Sequence, residues 1–192
     1  MKTETAIKIF NLIKDKTGQV IPATIIIKKN GKYNIIGSTN GEILSNIWFN
    51  KIYDFHNNLA KVKKDGKYNF INTNGEILSK LWFEKIGDFY DNFAAVKLYG
   101  KWNFIDSKGD FLLTIWYNQV LDFFDGFARV QKDGKWNFIN TEGKILSDTW
   151  FDWCGYFIDG ITEIRIDKFW NYINTEGKFL SNIWFDKVDE FY

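Results

Sequence analysis

The chain has 192 residues and a formal net charge of +1. That length suits one ordinary domain or one repeat array, and the near-neutral balance supplies no global field toward nucleic acid or an anionic membrane. The chain is 45% hydrophobic and 19% aromatic, so a sizeable core of rings is available, and its single cysteine, Cys154, excludes an intramolecular disulfide and a cysteine metal cluster.

The first residues lack a continuous apolar run with a small-residue cleavage site, so no secretory leader is read. No stretch approaches the roughly 18 apolar residues of a membrane helix. The expected location is the cytoplasm, with a secreted effector left open. Phe10 to Pro22 reads as a degenerate copy of a motif that then recurs, and unit 6–22 is assigned to it. Fuller units follow near 23–57, 58–91, 92–125, 126–159 and 160–192. Gly41, Gly75, Gly109, Gly143 and Gly177 recur at a step of 34, as do Trp48, Trp82, Trp116, Trp150 and Trp184. A fixed period of this length marks a repeat architecture in which neighbours must stack, since one unit cannot bury its rings alone.

Within a unit, Phe93 to Lys97 and Lys101 to Asp106 read as paired strands around the turn Tyr99-Gly100. Asn30-Gly31, Asp65-Gly66 and Asp133-Gly134 stand at the same place, and such pairs between apolar runs are the strongest short hairpin signal. Ser107-Lys108-Gly109 predicts a second turn, and Phe111-Leu112-Leu113 a third short strand. An acidic-aromatic link, Asp122-Phe123-Phe124-Asp125, leads to the next unit. Asn34, Asn69, Asn103, Asn137 and Asn171 stand inside the second strand of every copy. A small polar residue fixed there predicts a bulge, a left-handed backbone or a side-chain bond to a neighbouring unit. The fold class expected is all-β. Tandem three-stranded antiparallel meanders form a closed, propeller-like ring or a strongly curved solenoid. Closure would join the N-terminal copy to the last one, which stops at Phe191-Tyr192.

Phe10 to Pro22 and Gly100 to Gly109 resemble WG repeats, whose pattern runs G-K-W-G-F-I-D-x-x-G-x-x-V-I-P. The link and the Phe-Ala-x-Val strand match it as well. The departure is Asn where the family has the Gly of "WG". The resemblance implies an all-β interaction repeat of bacterial proteins and secreted effectors. It implies no enzymatic activity, no cofactor and no particular partner.

Catalytic signals are thin. His56 stands alone and aligns with Tyr90 and Phe124, so it reads as a ring in a repeat position rather than a zinc ligand. Cys154 aligns with Ile52, Ile86, Val120 and Val188 and reads as a small buried apolar residue. No phosphate-binding glycine motif occurs. The recurring acids Asp54, Asp88, Asp122, Asp91, Asp125 and Asp159 read as turn caps more than as a glycosidase pair. The protein is therefore expected not to be an enzyme, and no cofactor or metal is assigned. Lysines crowd the hairpin turns and acids crowd the links, which predicts one basic and one acidic rim.

Since repeated residues serve the scaffold, the site is sought where copies disagree. Trp153 stands where others carry Lys51, Lys85, Gln119 and Lys187. Phe169 replaces Lys32, Lys67, Lys101 and Lys135, and Tyr156 replaces Asp54, Asp88 and Asp122. Leu98 and Tyr99 stand where other copies carry Lys-Asp. These five residues, Leu98, Tyr99, Trp153, Tyr156 and Phe169, are the candidate partner-binding set, because rings in otherwise polar positions make interface anchors. The function expected is non-catalytic binding of another protein. One concrete version is an inhibitor that occludes its partner, such as a phage or mobile-element, anti-CRISPR-like antagonist of a bacterial defence nuclease. A lectin-like carbohydrate-binding array is the alternative, and RNA is the weakest candidate.

Overall fold

In a computed structural model, residues 24–38 and 41–188 are described. The N-terminal copy at 6–22, and the closure resting on it and on Phe191-Tyr192, lie outside them. The described residues hold strands, bridges and turns, with no helix among them. They fall into two compact units, Met1–Glu84 and Lys85–Tyr192.

The first unit contains β1 (Thr24–Lys29), β2 (Lys32–Gly37), β3 (Lys51–His56), β4 (Leu59–Lys64) and β5 (Lys67–Asn72). β1 pairs with β2, and β3-β4-β5 form an antiparallel sheet. The second unit contains three such sheets. They are β6 (Lys85–Tyr90), β7 (Phe93–Leu98) and β8 (Lys101–Asp106), then β9 (Gln119–Val120), β10 (Phe127–Lys132) and β11 (Lys135–Asn140), then β12 (Trp153–Cys154), β13 (Ile161–Ile166) and β14 (Phe169–Asn174).

The three-stranded meander is present, but its third strand is not the expected one. The link supplies it: β6 pairs with β7, with Lys85 opposite Lys97 and Tyr90 opposite Phe93. Between Ile86 and Phe89 the register slips, and β3 slips likewise between Ile52 and Phe55. That bulge breaks the period-2 alternation by which a strand is recognised. Phe111-Leu112-Leu113 instead contributes a single bridge, Ile105 to Phe111.

The reason lies in the repeated asparagine. In the second sheet Ile71 bridges Ile77 while Tyr68 bridges Phe83, so the outer segment runs through three more residues than β5 over the same stretch. Asn69, fully buried, fills the gap. Its Nδ2 donates to the carbonyls of Ser79 at 2.7 Å and Leu81 at 2.9 Å, and its Oδ1 accepts from Phe70 N at 2.8 Å. Asn34, Asn137 and Asn171 bond in the same way. In the third sheet Asn103 holds the Leu113 carbonyl at 2.9 Å. The side chain thus stands in for the missing ladder: of the three expectations for this asparagine the side-chain bond is the one found, and it closes within the residue's own unit rather than on a neighbouring one. Deleting such a buried amide strands several backbone groups, at roughly 1–3 kcal/mol for each unmade bond.

Stacking follows from rings and glycines. Phe123, from one link, packs on Phe93 at 5.0 Å and Phe104 at 4.9 Å of the preceding sheet. Phe157 does the same with Phe127 and Phe138. At Gly177, with φ +75°, a Cβ would stand 2.3 Å from the Leu146 carbonyl oxygen. Only glycine allows that approach between neighbouring segments.

Candidate functional site

Each sheet has two ends. At one lie the hairpin turns between the long strands, and at the other the turns that close the links. The hairpin end carries the lysines, and several cover ring faces across the strand pair. Lys63 Nζ lies 5.2 Å from the Tyr68 ring, Lys97 5.6 Å from Trp102, and the Arg165 guanidinium 5.8 Å from Trp170. These contacts assign part of the basic rim to the scaffold, stem packed and charge outward. Turn backbones are capped there too. Asn50 Oδ1 accepts from Asp65 N at 2.8 Å, and Asp152 Oδ2 accepts from Asp167 N at 2.6 Å. Lys135 donates to Asp152 Oδ1 at 2.5 Å, and this bond with the Asp167 N–H holds the Asp152 carboxyl below its usual range.

Tyr99 is 87% exposed in its hairpin turn, at φ +49°. Asn30, Asp65, Asp133 and Asp167 adopt the same left-handed backbone, which short polar side chains tolerate and a bulky ring resists. Leu98 beside it is half-buried. Trp153 is exposed and meets Trp170 edge to face at 5.4 Å. Its strand partner is Arg165. Phe169 begins β14 directly after the turn, exposed, with Lys168 Nζ 5.1 Å from its ring. Leu98 and Tyr99 lie in the third sheet and Trp153 and Phe169 in the fifth, so these four share an end of their sheets but not one cluster.

Tyr156 belongs elsewhere. It stands near the link turns, 51% exposed, with the Arg129 guanidinium stacked 3.8 Å from its ring. Arg129 also donates Nη1 to the Cys154 carbonyl at 2.7 Å. Phe124, 57% exposed, meets Tyr156 edge to face at 5.8 Å. Tyr90 and Ile158, also exposed, complete the row. Tyr90, Leu121, Phe124, Tyr156 and Ile158 line an open groove of about 450 Å³. A second groove, of about 550 Å³, is bordered by Asp91, Asp125 and Asp159. Those acids occupy the left-handed first position of each link turn, and Asp91 Oδ2 accepts from Gly126 N at 2.9 Å.

Sequence reasoning found Tyr156 but missed Tyr90, Phe124 and Ile158. They share the alignment column of His56, itself exposed. The available signal was variation within the column: His, Tyr, Phe and Ile at one position. Cys154 is buried, and burial pushes its thiol up to about 12, which makes it an inert core residue. Among the described residues no group of three or more His, Cys, Asp or Glu side chains is placed to hold a metal ion, and no helix is long and apolar enough to cross a membrane.

Among curated proteins, no relative matches the chain. Solved structures resemble it weakly. Hsv2 of Kluyveromyces lactis matches at 9% identity and TM-score 0.43, over 83% of this chain and 60% of that one. PorZ of Porphyromonas gingivalis matches at 10% identity and TM-score 0.43, over 90% of this chain and 26% of that one. The WD40 domain of SCAP from fission yeast matches at 12% identity and TM-score 0.35, over 84% and 52%. The chain therefore spans less than two thirds of each of these proteins, and at such scores they carry no argument about its activity. The WG containing repeat model is matched four times in tandem, at residues 38–68, 70–102, 104–136 and 138–170. Those matches cover more than half of the chain, and with the repeated sheet they lead to one conclusion: the chain belongs to the WG containing repeat family.

Proposed function

We propose that this protein is a non-catalytic module that binds another protein. The observation that carries the reading is the row Tyr90, Phe124, Tyr156 and Ile158, large apolar side chains exposed side by side over two open grooves. Rings exposed in this way act as anchors when a partner covers them. Tyr99, Trp153 and Phe169 add exposed rings at the hairpin end and extend the reading to a second contact region. Inhibition by occlusion is one form of binding that such a surface allows.

The lectin reading asks for the same ring and polar set in every copy. The link-turn column is occupied in every copy but by unlike side chains, which suits one partner laid across several units better than one sugar per unit. The test is affinity capture from the native host with wild-type protein and Phe124→Asp, read by mass spectrometry, beside a glycan array. A protein captured by wild type and lost with the variant is expected. A positive array with no captured protein would reverse the assignment.

A further inference from the structure

The partner's chemistry can be read from what surrounds the row. On this rim Lys144 is paired with Glu142 at 2.7 Å and Lys178 with Glu176 at 2.7 Å, each within its own loop. Those two lysines are engaged locally and Lys108 stands exposed in the equivalent loop of the third sheet, while three acids, Asp91, Asp125 and Asp159, border the groove itself. In the adjoining groove Tyr156 already carries one cation, the Arg129 guanidinium 3.8 Å from its ring centroid. The acid-bordered groove, with Tyr90 and Phe124 in its lining, thus combines aromatic faces with a carboxylate border. An arginine or lysine side chain satisfies both at once: its stem lies on the rings and its charge faces the acids.

We propose that the link-turn groove seats a basic segment of the partner protein, an arginine or lysine flanked by an apolar residue, held by Phe124 and Tyr90 and by Asp125 and Asp159. This rests on the protein-binding reading above and gives it a partner class. A neutral or acidic segment would leave the carboxylates uncompensated beside apolar surface, which disfavours it on entry and in the bound state.

The test selects binders to the full chain from a randomised short-peptide library. Enriched peptides are then titrated by fluorescence anisotropy against wild type, Phe124→Ala, Tyr90→Ala and the pair Asp125→Asn with Asp159→Asn. Asparagine keeps the left-handed turn accessible, so the pair removes charge with little backbone cost. Enriched peptides should carry Arg or Lys next to an apolar residue. Either ring variant should weaken binding at least ~10-fold. The Asn pair should weaken it about five- to tenfold, with the loss reproduced by raising salt. Neutral or acidic peptides that still depend on Phe124 would overturn the basic partner and leave protein binding intact. Peptides indifferent to both ring variants, or no enrichment, would overturn both. Sedimentation that shows self-association dependent on Phe124 would give the groove to a second copy's lysine-bearing hairpins, and the inference would fall.

Discussion

Two sets of residues recur with the unit and end in opposite situations. The asparagines Asn34, Asn69, Asn103, Asn137 and Asn171 are identical in every copy and fully buried. The link-turn column His56, Tyr90, Phe124 and Ile158 keeps its place but changes its side chain, and it is exposed. The contrast separates two meanings of a repeat. Where a side chain closes backbone bonds, every copy of this chain keeps the same residue. Where it faces outward, the fold fixes the position and leaves the chemistry free.

Substitutions on either side sharpen that contrast. The largest effect is expected from Asn137→Ala, which strands the Ser147 and Thr149 carbonyls and the Phe138 N–H. A loss of about 3 kcal/mol in chemical denaturation is expected. A loss under about 1 kcal/mol would mean that water replaces the amide. Gly177→Ala comes next, at about 2 kcal/mol, because the added Cβ meets the Leu146 carbonyl at a left-handed backbone. Phe124→Asp, on the outward side, is expected to change stability by less than ~0.5 kcal/mol. A melting temperature well below wild type would make that ring part of the core instead.

Similar in size but opposite in sign is Tyr99→Asn, which relieves a ring from the left-handed turn and should stabilise by about 0.5 kcal/mol. Unchanged or lower stability would show that the tyrosine makes compensating contacts. The smallest effect is one of pH. The Asp152 carboxyl is held low in the folded chain by Lys135 and the Asp167 N–H. Its contribution is present above the unfolded carboxylate range and is lost as pH falls through the lower folded value. Asp152→Asn should flatten that acid limb slightly, and an unchanged limb would show that the pair contributes nothing.

Much of this was legible from residues. The hairpins followed from Asn-Gly and Asp-Gly, and a side-chain bond from one polar residue fixed within a strand, although that bond closes inside its own unit rather than on a neighbour. The link strand was hidden because its slip between Ile86 and Phe89 breaks the alternation. The outer segment was misread as a strand because Phe111-Leu112-Leu113 is apolar, while only the geometry imposed by Asn103 shows it bowed out of register. In the site, Trp153, Tyr156, Phe169 and Tyr99 are exposed rings, and Leu98 is half-buried. Tyr90, Phe124 and Ile158 escaped notice because comparison of copies flags outliers, and a column that reads His, Tyr, Phe, Ile and Tyr has no consensus to depart from.

The stapled outer segment has one more consequence. Five near-identical, ring-rich segments on one chain invite mispairing, and a flat outer strand would offer free N–H and C=O groups to any chain that met it. Here the outermost backbone bows away from its neighbour, and asparagine amides occupy the carbonyls of the bow. An incoming strand finds no continuous row of donors and acceptors to extend. The same residue that completes each sheet therefore also interrupts its outer edge.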